Sequence, residues 1–264
     1  MAEIALAALF TLFLWWFSTG LIIYLDGLRR ETFGLTMSGA TVLLLVALFG
    51  LHTLSREAGV AGAWLGFLCG VMCWAWIEIG FLTGLITGPR RSACPPTLRG
   101  LRRLRAAVAT VLWHELAIVG LAAVVLAITW DAPNRIGTWT FLAFWAMRVS
   151  AKLNLYLGVR NRSEAFLPDH LRYLESFFPR KRMNLLFPFS VFAGLAAAAL
   201  LLLAATAADA TRHEAVGFGL LATLVALGLL EHIFMVLPVP ADVLWRWGLA
   251  SRAAPKQLIQ RGAP

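Results

Sequence analysis

Long apolar runs, each about the length needed to cross a bilayer, alternate along this chain with short polar connectors. Scanning for stretches of roughly 20 apolar residues predicts seven helices, near residues 4–25, 36–55, 59–86, 106–130, 136–158, 184–208 and 216–237. The expected fold is therefore all-α: a polytopic bundle of seven transmembrane helices filling residues 1–250 as one domain, with a mobile tail over 251–264. The first run begins almost at once, carries Glu3 instead of a basic leader, and is long enough to be a retained span. Trp130, Trp139, Trp245 and Trp247 fall near predicted helix ends, where an aromatic belt would place them.

The connectors fix an expected orientation. Those after helices one, three and five and the C-terminal tail hold 2, 6, 6 and 4 Lys/Arg residues, whereas Arg56, Arg135 and Arg212 stand alone in the other three. Basic connectors stay in the cytoplasm, so the N-terminus is expected outside and the C-terminus inside the inner membrane. The connector over 87–105 reads as turn-rich and basic. In the segment 163–183, Leu167, Leu171, Leu174 and Phe178 recur at helical spacing, with Asp169, Arg172 and Glu175 elsewhere around the wheel. That pattern suits an amphipathic helix on the inner membrane surface, with His170 toward headgroups, or equally a helix packed on the bundle.

Composition sharpens the class. Of 264 residues, 60% are hydrophobic and 14% charged, against roughly a quarter charged in soluble domains. The net charge of +9 falls in short inter-helix segments, a mark of topology and anionic headgroups, so nucleic acid is not an expected partner. Three cysteines make a disulfide framework implausible, and Cys69 and Cys73 read as small packing residues.

The most specific signal is polar. Glu78, His114, Glu115, Arg148, Lys152, Asn154, Glu231 and His232 interrupt four of the apolar runs. Counted from the predicted inner ends at about 1.5 Å per residue, all lie in the cytoplasmic half of the bilayer. Ionisable groups there face the protein interior or a polar cavity. Adjacent residues on a helix point about 100° apart, so His114 and Glu115 cannot share one site equally, nor can Glu231 and His232. Three readings stand open. Arg148 and Lys152 neutralise two of the glutamates in a buried ion-pair network that locks helices. Alternatively Glu78, His114 or Glu115, and Glu231 or His232 supply a carboxylate/histidine site for iron, manganese or zinc, although no H-E-x-x-H or Glu-x-x-His spacing occurs on these helices. Or the layer lines a pocket for a tetrapyrrole or lipid-like cargo. P-loop, dinucleotide-binding, nucleophile-elbow and Cys-x-x-Cys signatures are missing.

Small residues carry the packing. Gly66 and Gly70 are four apart, and Gly80, Gly84 and Gly88 continue the interval with Thr83 and Thr87 beside them, a pattern that lets helices approach closely. Pro188 is expected to kink the sixth helix and Pro238 to end the seventh.

Several longer stretches carry a resemblance. They are Trp76–Arg90 (WIEIGFLTGLITGPR), Trp113-His-Glu, Met147–Val159 (MRVSAKLNLYLGV), Phe166–Leu174 (FLPDHLRYL) and Leu230–Pro238 (LEHIFMVLP). Over most of its length the chain resembles the PuhE family, photosynthetic complex assembly proteins of purple phototrophic bacteria. The resemblance implies a role in building the reaction centre and its core light-harvesting antenna, or in controlling the bacteriochlorophyll supplied to them. It implies reaction-centre and antenna subunits or other assembly factors as partners, and bacteriochlorophyll or a precursor as ligand. No catalytic residues are carried over with it. The competing expectation is a membrane-embedded metal-dependent enzyme acting on a tetrapyrrole or isoprenoid precursor.

Overall fold

The computed structural model describes residues 1–162, 166–237 and 240–252. Among them are seven long helices: α1 (Ala2–Asp26), α2 (Phe33–Leu54), α3 (Val60–Leu82), α4 (Gly100–Ile128), α5 (Ile136–Leu157), α6 (Leu186–Ala205) and α7 (Arg212–Phe234). Six are long and apolar enough to cross a membrane; α5, which carries Arg148, Lys152 and Asn154, is not among them. The protein is a multi-pass helical membrane bundle.

Helix α3 is its hub, touching α1, α2, α4, α5 and α7. On one side Trp74 and Ile77 pack with Leu44, Leu51, Ile118 and Phe141; on the other, Phe67 and Val71 pack with Ala7, Ile136, Val216 and Leu220. Both faces can be covered because α3 is apolar all round apart from Glu78. Its small residues set the distance to α5. A Cβ on Gly70 would stand 2.5 Å from the Gly137 carbonyl oxygen, and one on Gly137 would stand 2.5 Å from that of Gly66. Backbone therefore meets backbone, as the glycine spacing predicts. Cys69 and Cys73 are free and buried in this packing. Where α2 ends and α3 and α5 begin, the buried Asn134 amide donates to the Leu54 and Gly62 carbonyls while its oxygen accepts from the Ile136 N–H. One side chain thus joins the ends of α2, α3 and α5.

The glycine pattern does not continue as helix beyond Leu82. Gly84 has φ +77°, a left-handed residue that stops the helix, and the Ile86 N–H returns to the Gly80 carbonyl. The next residues lie against α4: Arg90 N–H donates to Ala109 O, and His114 N–H donates to Thr87 O. Gly88 makes this possible, since a Cβ there would fall 2.2 Å from the Ala109 oxygen. Helix α4 begins at Gly100, six residues before the sequence expectation, so the basic connector is partly helical. Glu78 is consequently nearer the C-terminal end of its helix than the sequence suggested, and His114 and Glu115 are farther from the N-terminal end of theirs.

The segment expected to be an amphipathic helix is a 3₁₀ helix over Asp169–Phe177. Its period of three buries Leu171, Leu174 and Phe177 in place of Phe178, and the first two pack on Phe81. His170 does not face headgroups: its Nε2 donates to the Leu82 carbonyl, and its ring lies against Phe33. Pro188 falls in the first turn of α6, where no intrahelical N–H is lost. Helix α7 ends at Phe234, and Pro238 lies outside the described residues. A further 3₁₀ turn, Ala241–Trp245, leads into helical residues 246–252 that run along α1. Gly248 meets the backbone of Gly20, Trp245 donates to Trp16 O, and Arg252 pairs with Asp26 at 2.6 Å. Trp245 is thus an internal packing residue and not part of a belt, whereas Trp130 and Trp139 are exposed near helix ends. Ser251 and Arg252 belong to the docked segment; the remainder of the expected mobile tail lies outside the described residues.

Candidate functional site

Residues of α3, α4, α5 and α7 bring the interrupting polar groups together in pairs. Arg148 on α5 donates to Glu78 on α3 at 2.5 Å. One turn further along α5, Lys152 pairs with Glu115 on α4. The four-residue spacing of the two cations puts them on one face, between two acidic helices. Glu78 is 8% exposed, and among the described residues neither its Oε1 nor Arg148 Nε has a hydrogen-bond partner.

The two residues of α7 diverge. Glu231 accepts a 2.6 Å hydrogen bond from Trp15 Nε1 on α1. His232 turns to α5, with Nδ1 2.8 Å from Gly228 O and Nε2 2.9 Å from Ser150 Oγ. A carbonyl can only accept, so Nδ1 carries a proton, and Nε2 shares a hydrogen bond with the Ser150 hydroxyl.

The other adjacent pair splits as well. Glu115 points to Lys152, whereas His114 is fully buried against Phe81, ring centroids 4.6 Å apart, with neither ring nitrogen hydrogen-bonded. Asn154 donates to Ser150 O and Ser190 Oγ and accepts from Asn184, which in turn caps the start of α6 through the Leu186 and Phe187 N–H groups. Its role is to tie α5 to α6.

A cavity of about 320 Å³ lies among α1, α3, α5 and α7. Four of the eight sequence candidates line it: Glu78, Arg148, Glu231 and His232. His114, Glu115, Lys152 and Asn154 are not among its lining residues. The remaining wall is mainly apolar and aromatic, including Phe67, Trp74, Phe144, Met147 and Leu224. At one end Trp15 packs edge-on to Trp245, and Trp245 packs on Phe166. Thr11 adds a buried hydroxyl without a partner. Sequence inspection missed this contribution of α1. A tryptophan and a threonine in an apolar run carry no charge to mark them, and only the Glu231–Trp15 bond identifies the face.

The expected metal centre is not assembled. Among the described residues no three His, Cys, Asp or Glu side chains gather closely enough to hold a metal ion. Glu78, His114, Glu115, Glu231 and His232 are instead directed to Arg148, Phe81, Lys152, Trp15 and Ser150. Adjacent positions on a helix cannot converge, and the two cations on α5 capture two of the three carboxylates, leaving Glu231 to Trp15. The arrangement offers a mainly apolar, partly open cavity with hydrogen-bonding groups contributed by α3, α5 and α7.

Comparison with known proteins locates the chain in a family. An uncharacterized 30.4 kDa protein in the puhA 5′ region of Rhodobacter capsulatus is 39% identical over 264 residues, covering 98% of this chain and 96% of that relative. This agrees with the PuhE resemblance and identifies a bacterial multi-pass membrane protein. No solved structure matches. The family of proteins of unknown function DUF3623 matches residues 1–256, and the chain belongs to it.

Proposed function

We propose that this protein is an inner-membrane assembly factor for the photosynthetic reaction centre and its core light-harvesting complex. It acts by binding, without turning over substrate, through the cavity beside the Glu78–Arg148 pair. The observation that carries the reading is the near full-length similarity to the puhA-region protein, which joins the motif resemblance to a photosynthetic context. The cavity supports binding because a mostly apolar enclosure with a few polar groups is the usual form of a small-molecule site. All seven helices cross the membrane in this reading, α5 among them with its Arg148 paired to Glu78 of α3 and its Lys152 to Glu115 of α4. The N-terminus is outside, and the basic connectors meet anionic lipid or cytoplasmic partners.

Deletion of the gene tests the reading. Assembled reaction-centre and core-antenna complex should fall while pigment intermediates stay chemically normal. Accumulation of one unmodified precursor would show an enzyme instead.

A further inference from the structure

The end of α7 is completed without the residues that follow it. The carbonyls of His232 and Ile233 accept from the N–H groups of Met235, Val236 and Leu237. Asn161, in the connector after α5, receives the next ones. Its N–H donates to Met235 O at 2.8 Å, and its side-chain amide donates to Phe234 O and Leu237 O at 3.2 and 3.1 Å. A helix end whose carbonyls are satisfied in this way does not depend on the chain beyond it.

Residues 241–252 run along α1 instead, from Trp16 to Asp26, about 15 Å at the helical rise. Trp245 Nε1 donates to Trp16 O at 2.9 Å, and Trp16 Nε1 donates to Leu244 O at 2.8 Å. Arg252 donates through two nitrogens to Asp26 Oδ1, at 3.2 and 2.6 Å, and at 3.0 Å to Phe166 O. Helix α1 is long and apolar enough to cross a membrane, where lipid can replace the apolar contacts of a segment that leaves, so burial alone holds it weakly. The polar contacts carry the docking. The charged pair is the strongest of them, since the Asp26 side chain is only 1% exposed.

This segment is also part of the cavity. Trp245 and Phe166 both line it, and Trp15 stands between Trp245, ring centroids 5.1 Å apart, and the Glu231 carboxyl. We propose that residues 241–252 form a gate: docked on α1 they close the cavity beside Glu231, with Asp26–Arg252 as the latch, and undocked they open it. Undocking carries Trp245 out of the wall and leaves the end of α7 capped by Asn161. Without Arg252 the docked state strands a buried carboxylate, which shifts the balance toward the open state. The gate rests on the cavity being the binding site of the functional reading and assigns the control of access to it.

The test is the rate at which N-ethylmaleimide labels Ala151→Cys, a cavity position on α5, in full-length Cys94→Ser protein in phosphatidylcholine nanodiscs. Label is mapped by peptide mass spectrometry. Cys73, fully buried in the packing of α2, α3 and α4, is the internal control. Arg252→Gln should speed labelling at position 151 at least about tenfold and leave Cys73 unchanged. A lock reverses this. A Cβ on Gly27 stands 3.2 Å from that of Ser251, close to the roughly 3.5–4.5 Å of a disulfide. Oxidised Gly27→Cys/Ser251→Cys should return the Arg252→Gln rate to the parental one, and in the parental chain it should slow labelling below that of the reduced form. Equal rates in the parent and Arg252→Gln would overturn the proposal. If Cys73 accelerates as well, the Arg252 variant has loosened the whole bundle and the lock in the parental chain decides: equal rates oxidised and reduced would overturn the gate. A working gate together with full complex assembly in cells carrying the cavity-filling Ala75→Phe would leave this inference standing and remove the functional reading.

Discussion

Replacing Arg148 with Gln gives the sharpest energetic test of the polar layer. The substitution removes the partner of Glu78 from a carboxyl whose residue is 8% exposed and whose other oxygen already lacks one. Breaking a buried pair from one side costs about 3–5 kcal/mol. Arg148 is itself 34% exposed through its side chain, so water or ligand in the cavity offsets part of this, and about 3 kcal/mol is expected. The double variant Glu78→Gln/Arg148→Gln removes both charges and should recover most of the loss. Equilibrium unfolding of the parent, the two single variants Glu78→Gln and Arg148→Gln, and the double variant in mixed micelles gives the coupling energy directly, with about 1.4 kcal/mol for each tenfold change in the equilibrium constant. A cost below about 1 kcal/mol, the value of an exposed pair, with no recovery in the double variant, would refute a buried, mutually neutralising pair.

Other outcomes follow from the same geometry. Lys152→Met should cost less than Arg148→Gln in the same unfolding assay, because Glu115 is more exposed than Glu78 (29% against 11% of the side chain). Gly70→Leu should destabilise the bundle by about 1–3 kcal/mol through overpacking, since its side chain would meet the Gly137 carbonyl and Thr140; Gly34→Leu, with open space around it, should leave thermal unfolding unchanged. Burial is the largest influence on His170 and holds its imidazole below the ordinary range. The unfolded chain therefore binds the proton more readily, so His170 contributes full stability above about pH 6.5 and loses it as pH falls below that value. Protection factors at residues 169–177, taken relative to the intrinsic exchange rate at each pH, should fall on acidification, and His170→Gln should flatten that dependence.

The long apolar runs were legible because hydrophobic length is a local property of the chain. The pairing of Arg148 and Lys152 with two glutamates was also within reach, since charge balance and a four-residue spacing leave few arrangements. What escaped the sequence depends on contacts between distant segments. The glycine interval reads as helix through Gly84, yet Gly84 is a left-handed stop, and Gly88 beyond it makes a close approach to the α4 backbone. Leu171, Leu174 and Phe177 share a face only at a period of three, which a helical wheel drawn at 3.6 misplaces by one residue. The α1 wall of the cavity is uncharged, and the docking of 246–252 along α1 depends on Gly20 and Gly248, single glycines without a repeating pattern.

Complementing a deletion strain with Ala75→Phe tests the account most directly, because it fills the cavity without touching a charged residue. With the variant present in the membrane at the parental level, absorption spectra should show reduced reaction-centre and core-antenna complex, close to the deletion strain. Full assembly with the cavity filled would contradict the account.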